Sequence, residues 1–388
     1  MVFNFNQFVE SLPAGTTLAE YIIKMLIMFA IGGILIYLAI KKDYEPALLL
    51  PIGFGAILTN IPFTSIVTNP ANGEPGIYGV LYDATIANEL LPVLIFIAVG
   101  AMCDFGPLFQ TPSMIFFGAA AQFGIFATMM VALLLGFDLK EAGAIGVIGA
   151  ADGPTTIYVG SAFGLDKGIM GPLTVAAYSY MSLVPIIQPP VIKALTTKKE
   201  RQIRMEFKQR EVSKLTRIIF PIIVTVIAGI IAPESVALIG ALMFGNLIRE
   251  CGVLSRLSET AQTTLANLVT ILLGITIGTT MTAEDFLTKN TLLIMLLGLV
   301  AFIFDTAGGV LFAKLLNLFR KEKINPMVGA AGISAFPMSA RVIQKMAKDE
   351  DPHNFILMQS VAANVSGQLG SVIAGSMILV LIGRIAGL

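Results

Sequence analysis

Residues Gly146–Gly164 read GVIGAADGPTTIYVGSAFG, a stretch among long apolar runs that nonetheless holds an acid, Asp152, followed at once by Gly153 and Pro154. A charge at the centre of a bilayer costs about 2.5–3.5 kcal/mol on insertion scales. Gly and Pro beside it loosen the helix and free backbone carbonyls. Non-helical backbone at membrane depth is tolerated only where it is packed in protein or lines a cavity. An acid on a broken helix therefore reads as an ion or proton site. The alternative is a structural kink in which Asp152 caps the N-terminus of a half-helix.

The composition sets the surroundings of that acid. The chain has 388 residues, 56% hydrophobic and 13% charged, with a mean hydropathy of +0.84. Soluble domains carry about 25% charged residues, so this is an integral membrane protein. Its apolar runs are too long and too uniform for the alternating strands of a barrel, and the expected fold is all-α and polytopic. The formal net charge is zero, which gives no field for a nucleic-acid partner. Cys103 and Cys251 stand apart without ligand spacing, and His353 lies in the polar run KDEDPHN. No metal cluster or catalytic triad can be assembled from these residues. Residues 1–20 lack the basic start and apolar core of a signal peptide and read as a polar or interfacial lead-in.

Two halves flank a basic segment. Residues 21–192 form the first, with spans expected at Tyr21–Ile40, Met114–Phe137 and Met170–Ile192, a short segment at Leu90–Met102, and a broken helix at 144–160. Residues 193–217 carry nine Lys/Arg and three Glu, which places this loop in the cytoplasm by the positive-inside rule. It serves as a topology signal or as a docking surface, and RQIRMEFKQREVSKL has the pattern of an amphipathic helix. Residues 218–388 form the second half, with a long span at Thr291–Phe319 interrupted by Asp305, a broken helix at 326–341 and a polar-dotted span at Phe355–Ile382. Each half runs long span, charged link, Gly/Pro-broken segment, charged link, polar-dotted span. Matching Gly/Pro-interrupted segments in two halves point to a binding site near the bilayer midplane. Tyr178, Tyr180, Ser182, Pro185 and Gln188 crowd one span and suggest a cavity wall.

The residue types then nominate an ion site. A hard cation such as Na⁺ wants several oxygens, which broken helices supply as carbonyls. Asp152 offers a charged oxygen, while Ser334, Asn364 and Ser371 offer hydroxyl and amide oxygens; Tyr178 and Asn325 are further candidates. Arg341, at the end of the second broken segment, reads as a clamp for an anion or as a snorkelling interfacial residue. Asp305 is a second intramembrane acid or is satisfied by backbone at a Gly–Gly kink.

Several motifs, in order, resemble the β subunits of sodium-pumping, biotin-dependent decarboxylases. They are KKDYEPALLLPIGFGAILTNIP from Lys41, NELLP…GAMCDFGP around Glu89, GAADGPT around Asp152, AAYSYMSLVPIIQPP around Tyr178, NPMVGAAGISAFPMSAR from Asn325 to Arg341, and ANVSGQLGSVIAG from Ala363. The resemblance covers nearly the whole chain from about Tyr21. It implies a membrane subunit that decarboxylates carboxybiotin, supplied by a biotin carrier subunit, and couples this to Na⁺ export with uptake of a proton. It implies partners: a soluble carboxyltransferase α subunit, a small membrane subunit of γ or δ type, and further copies of the chain, in the cell membrane. On residues, it makes Asp152 the central Na⁺ and proton-coupling acid and Tyr178 a participant in ion binding or proton delivery. Asn325, Gly329, Ser334, Arg341 and Asn364 match the family's remaining polar positions. The length and lack of an insertion lean toward an acyl-CoA type over the oxaloacetate type. A stand-alone Na⁺-coupled carrier or Na⁺/H⁺ antiporter is the competing class, and a purely structural membrane subunit a third.

Overall fold

A computed structural model describes residues 17–42, 45–62, 64–68, 74–206 and 211–386. The N-terminal lead-in falls almost wholly outside these residues. The described chain is helical, with an isolated bridge between Thr68 and Pro75. In chain order the helices that matter here are α1 (Leu18–Lys42), α2 (Pro46–Thr59), α3 (Ile77–Thr85), α4 (Leu90–Met102), α5 (Ile115–Ala121), α6 (Phe123–Leu134), α7 (Leu139–Val147), α8 (Gly153–Ala162), α9 (Lys167–Ser182), α10 (Val184–Leu195), α11 (Lys214–Ile231), α12 (Val236–Glu250), α13 (Ala266–Gly278), α14 (Lys289–Phe319), α15 (Met338–Glu350) and α16 (Leu357–Ala386). Among the described residues, five helices are long and apolar enough to cross a membrane. They become seven if the bent pairs α3/α4 (60°) and α9/α10 (69°) each count as one span.

The packing repeats across the two halves. α1 packs on α2 as α11 packs on α12, and α2 packs on α13 as α12 packs on α4. α8 lies against α9 and α16, while α15 lies against α16 and α10. Equivalent helices run in opposite directions. α8 ends in a cavity shared with Leu379 and Arg384 of the last turns of α16. Its counterpart α15 ends at Glu350, which pairs with Arg201 at 2.7 Å, near the start of α16, where Gln359 donates to Met205 O. A 30-residue helix separates its two ends by roughly 45 Å, so the halves form an inverted repeat.

Close contact between the helices rests on small residues, as expected where lipid supplies no hydrophobic drive. A Cβ at Gly100 of α4 would lie 1.8 Å from Leu242 O, and one at Gly245 of α12 would lie 2.0 Å from Ile97 O. These glycines let α4 and α12 touch backbone to backbone.

Met114–Phe137 is borne out as one span, Pro112–Leu134, in which the single residue Gln122 separates α5 from α6. Two expectations are revised. Met170–Ile192 is bent at the α9–α10 junction, where Pro185 sits in the first turn of α10 and cannot continue the ladder of α9. The described parts of RQIRMEFKQREVSKL between α15's partners and α11 are largely not helical, Phe207–Arg210 lying outside the described residues. That segment is held extended because its groups are used elsewhere. The carbonyls of Arg201 and Ile203 accept from Asn325 and Asn354. The Arg204 guanidinium grips Asp351 at 2.6 and 3.1 Å and holds its carboxyl below the usual carboxylate range.

Replacing Gly245 by Ala should separate α4 from α12. Overpacking of this kind costs about 1–3 kcal/mol, and a lowered unfolding temperature of the detergent-solubilised protein is the expected result.

Candidate functional site

The first break begins where α7 tightens into a 3₁₀ turn, Ile148–Ala150. Ala151 then takes a left-handed conformation, φ 54°, and Pro154, in the first turn of α8, removes a donor at a position that needs none. Asp152 is the N-cap between them and is 5% exposed. Its Oδ1 accepts from Thr155 N at 3.4 Å, while Oδ2 accepts from Thr155 Oγ at 2.7 Å and from Ser371 Oγ at 2.9 Å. Capping and exposure to a cavity coexist, so the two readings of this acid are not exclusive.

The second break runs through residues 331–337, between a short turn at Met327–Ala330 and α15. Its freed carbonyls are held by α16. Asn364 Nδ2 donates to Ile333 O at 2.6 Å, Gln368 Nε2 donates to Ser334 O, and Ser334 Oγ donates to Gly367 O at 3.0 Å. α10 holds another: Gln188 Nε2 donates to Ala330 O at 2.9 Å and exchanges hydrogen bonds with Ser339. The two breaks meet directly, Ser334 N donating to Ala150 O at 3.0 Å.

Around this meeting point lies a cavity of about 160 Å³. Asp152, Tyr178, Ser334, Gln368 and Thr270 supply its polar lining, with Leu48, Ile95, Val99, Met181, Leu273 and Phe336 among the rest. A water occupies about 30 Å³ of liquid volume, so the space suits a small cation with a few waters. The Tyr178 ring lies against Gly153, where a Cβ would fall 2.3 Å from the ring carbons. Only glycine lets the tyrosine reach the break. Asn364, fully buried, keeps Oδ1 without a donor, an oxygen suited to a cation.

The expected residues separate into two groups. Asp152, Tyr178, Ser334, Ser371 and Asn364 gather at or beside the meeting of the breaks. Asn325 does not: its Nδ2 donates to the carbonyls of Arg201 and Ile203 at 2.8 and 2.9 Å, and its Oδ1 accepts from Met327 N. Arg341 does not line the cavity either. It is exposed and borders a separate hollow with Gln344, Lys345, Lys348, Asp349 and Leu357. Gln188, expected in a cavity wall, is a buried strut. Asp305 sits fully buried in an unbroken α14, against the backbone of Gly124 and Gly149, and neither oxygen reaches bonding geometry with a donor. No Gly–Gly kink forms there.

Thr155, Gln368 and Thr270 were not singled out by sequence. Thr155 carries a usable signal, the third position after an N-cap Asp. Gln368 lies one turn after Asn364. Thr270 carries none.

Residues 24–382 match the family model described as "Na+-transporting oxaloacetate decarboxylase beta subunit". The chain is 49% identical to the glutaconyl-CoA decarboxylase subunit beta of Acidaminococcus fermentans, over 92% of this chain and 93% of that one. It is 48% identical to the methylmalonyl-CoA decarboxylase subunit beta of Propionigenium modestum, over 92% and 95%. It is 43% identical to oxaloacetate decarboxylase beta chain 2 of Salmonella typhi, over 91% and 94%.

The latch geometry of Asn325 separates it from the ligand set. Asn325→Ala should lower thermal stability by about 1–3 kcal/mol, the cost of stranding buried partners, while ²²Na⁺ binding stays unchanged. Thr155→Val, which takes one of two hydroxyl donors from the buried Asp152, should lower stability within the same range but also weaken ²²Na⁺ binding, and the loss of binding separates the two variants.

Proposed function

The chain belongs to the Na⁺-transporting decarboxylase β-subunit family, and on that premise we propose that it decarboxylates carboxybiotin and couples the reaction to Na⁺ export with uptake of a proton. The observation that carries this is the Asp152 carboxylate, held by two hydroxyls beside Tyr178 in a small buried cavity where two broken segments meet. Carbonyls and hydroxyls at broken helices are the usual ligands of a translocated Na⁺. Membership of the family supports a subunit of a larger decarboxylase in a multi-pass membrane setting. The cell membrane, a soluble carboxyltransferase α subunit, a biotin carrier subunit, a small γ- or δ-type membrane subunit and self-association are part of the same proposal. The two acyl-CoA relatives named above exceed the oxaloacetate one in identity. That favours an acyl-CoA complex weakly, since the acid itself is handled by another subunit.

Carboxybiotin breaks its N–CO₂ bond to release CO₂, and the departing ring nitrogen takes up a proton. Moving one charge against the membrane potential costs about 2.3 kcal/mol per 100 mV, and the irreversible loss of CO₂ is the driver. Na⁺ binds on Asp152 with Ser334, Asn364 Oδ1 and cavity waters. A proton arriving through Tyr178 or Asp152 first neutralises the Asp152 carboxylate and releases Na⁺ outward; it then leaves Asp152 for the departing ring nitrogen outside the cavity, which restores the carboxylate for the next Na⁺. Thr155 and Ser371 keep Oδ2 anchored, while Oδ1, which accepts only the longer 3.4 Å hydrogen bond from Thr155 N, has lone pairs for the exchanging ion. Arg341, at the mouth of the hollow outside the cavity, pairs the carboxylate of the incoming carboxybiotin.

CO₂ release from free carboxybiotin, with Na⁺ varied from none to saturating, tests the reading. Na⁺-stimulated release is expected. Retained Na⁺ binding without release, even with partner subunits added, would make the chain a carrier of the antiporter class. Asp152→Asn should lower Na⁺-dependent release about 10²-fold or more, the scale of losing a proton-transfer group. Arg341→Lys should raise the KM for carboxybiotin and leave Na⁺ binding intact; equal loss of both would remove the clamp from the mechanism.

A further inference from the structure

The cavity at Asp152 is about 160 Å³, below the roughly 300–1,000 Å³ of pockets that enclose small organic ligands. It holds an ion and not a bicyclic ring. A second space is large enough. Between α10 and α15 lies a groove of about 380 Å³, floored by Pro185, Pro189, Val342 and Met346, with Lys193 and Lys345 at its edge. Asp349 and Glu350 also border it, but Glu350 is engaged by Arg201 at 2.7 Å. Among the described residues neither Lys193 nor Lys345 forms an ion pair, and both are exposed. The groove adjoins the hollow of Arg341, with which it shares Lys345 and Asp349.

We propose that this groove between α10 and α15 binds the carboxylated ring of biotin, at a site separate from the ion cavity. The ligand class is a compact bicyclic urea with one anionic carboxylate on an aliphatic tether. Its apolar faces match the proline, valine and methionine floor, where burial away from water is favourable. Its carboxylate matches Lys345 and Lys193, with Arg341 within the adjoining hollow as the third cation. The role presupposes the decarboxylase activity proposed for the chain.

The walls of the groove are continuous with the ion site. Pro185 follows the cavity residue Met181 across the α9–α10 bend, and Val342 follows the cavity residue Phe336 on the same chain segment. Beneath them Gln188 of α10 ties to Ala330 O and Ser339 of the second break. Loss of the ligand's carboxylate as CO₂ removes the charge that draws Lys193 on α10 and Lys345 on α15 to a common partner. Relaxation of α10 against α15 then reaches both Tyr178 and Ser334. Decarboxylation and ion release are coupled through these two segments without sharing a cavity.

The test uses the full-length chain in lipid nanodiscs with its partner subunits. Lys345→Glu and Lys193→Glu are surface changes, so folding is retained. The expected result is a rise of about tenfold in the KM for free carboxybiotin, with ²²Na⁺ binding in the absence of carboxybiotin unchanged and Lys345→Arg near wild type. Unchanged KM in both charge reversals overturns the site. A change that instead follows the anionic-lipid content of the nanodisc also overturns it, making the lysines a headgroup contact. A binding readout is independent of turnover. In Val342→Cys, free carboxybiotin should slow maleimide labelling several-fold and biotin, which lacks the ring carboxylate, should slow it less; labelling indifferent to carboxybiotin overturns the site even if the chain decarboxylates. Protection by carboxybiotin in a chain that releases no CO₂ would keep the groove while removing the decarboxylase activity.

Discussion

A helix that stops inside a membrane leaves its last carbonyls and first N–H groups without water to turn to. Here two helices stop at one place, and each uses the other. Ala150 O, released by the 3₁₀ turn, accepts from Ser334 N of the opposite break, and α16 and α10 supply Asn364, Gln368 and Gln188 to the remaining carbonyls. The polar residues of the long spans are therefore committed first to backbone. What is left over, Asp152 with its two hydroxyls and Asn364 Oδ1, is the set of groups proposed to hold the ion. The site exists because the breaks are satisfied by partners on several helices, and it is small because those partners fill the space.

That economy is the reason the ring-sized substrate is placed, by proposal, in the groove and not in the cavity of about 160 Å³. The groove between α10 and α15 lies on the far side of the same struts, at the end of the molecule where Arg201 and Arg204 engage Glu350 and Asp351. Two of the nine cations in the basic segment thus fix α15 in place and are not free to attract a partner. Arg341, Lys345 and Lys348 of α15 are exposed along one side of the helix, four and three residues apart, Lys348 lying over the Phe355 ring at 4.8 Å. The basic segment thus also braces the helix proposed to present charge to a ligand.

Asp305 shows how far burial can go without a site. It occupies the middle of α14 against Gly124 and Gly149, closing the back of the first 3₁₀ turn where a larger residue at either glycine would not fit. It lines neither the cavity at Asp152 nor the groove between α10 and α15. Its position makes it a wall of the break, whereas Asp152, three residues after Gly149, faces the cavity.

The membrane class, the helical fold, both breaks and the acid at their centre are legible in sequence because each depends on local composition: long apolar runs, Gly and Pro beside an acid, and a basic segment between two similar halves. Ser371 and Ser334 were legible as oxygens but not as neighbours, since nothing along the chain fixes which faces of distant helices meet. Asn325 shows the same limit from the other side. Its motif resembles that of the ion-site residues, yet its amide is spent on carbonyls 122 and 124 residues away. Thr270 carries no local signal, being an ordinary residue given a role by packing, whereas Pro185 was legible as part of a cavity wall but not as the floor of a groove against α15. Sequence by itself determined where the backbone must break and which charge sits there, because propensity and desolvation act locally. Only the tertiary structure decided which oxygens remain free for an ion and that the ring-sized space lies apart from it, because both depend on which freed carbonyls claim which side chains.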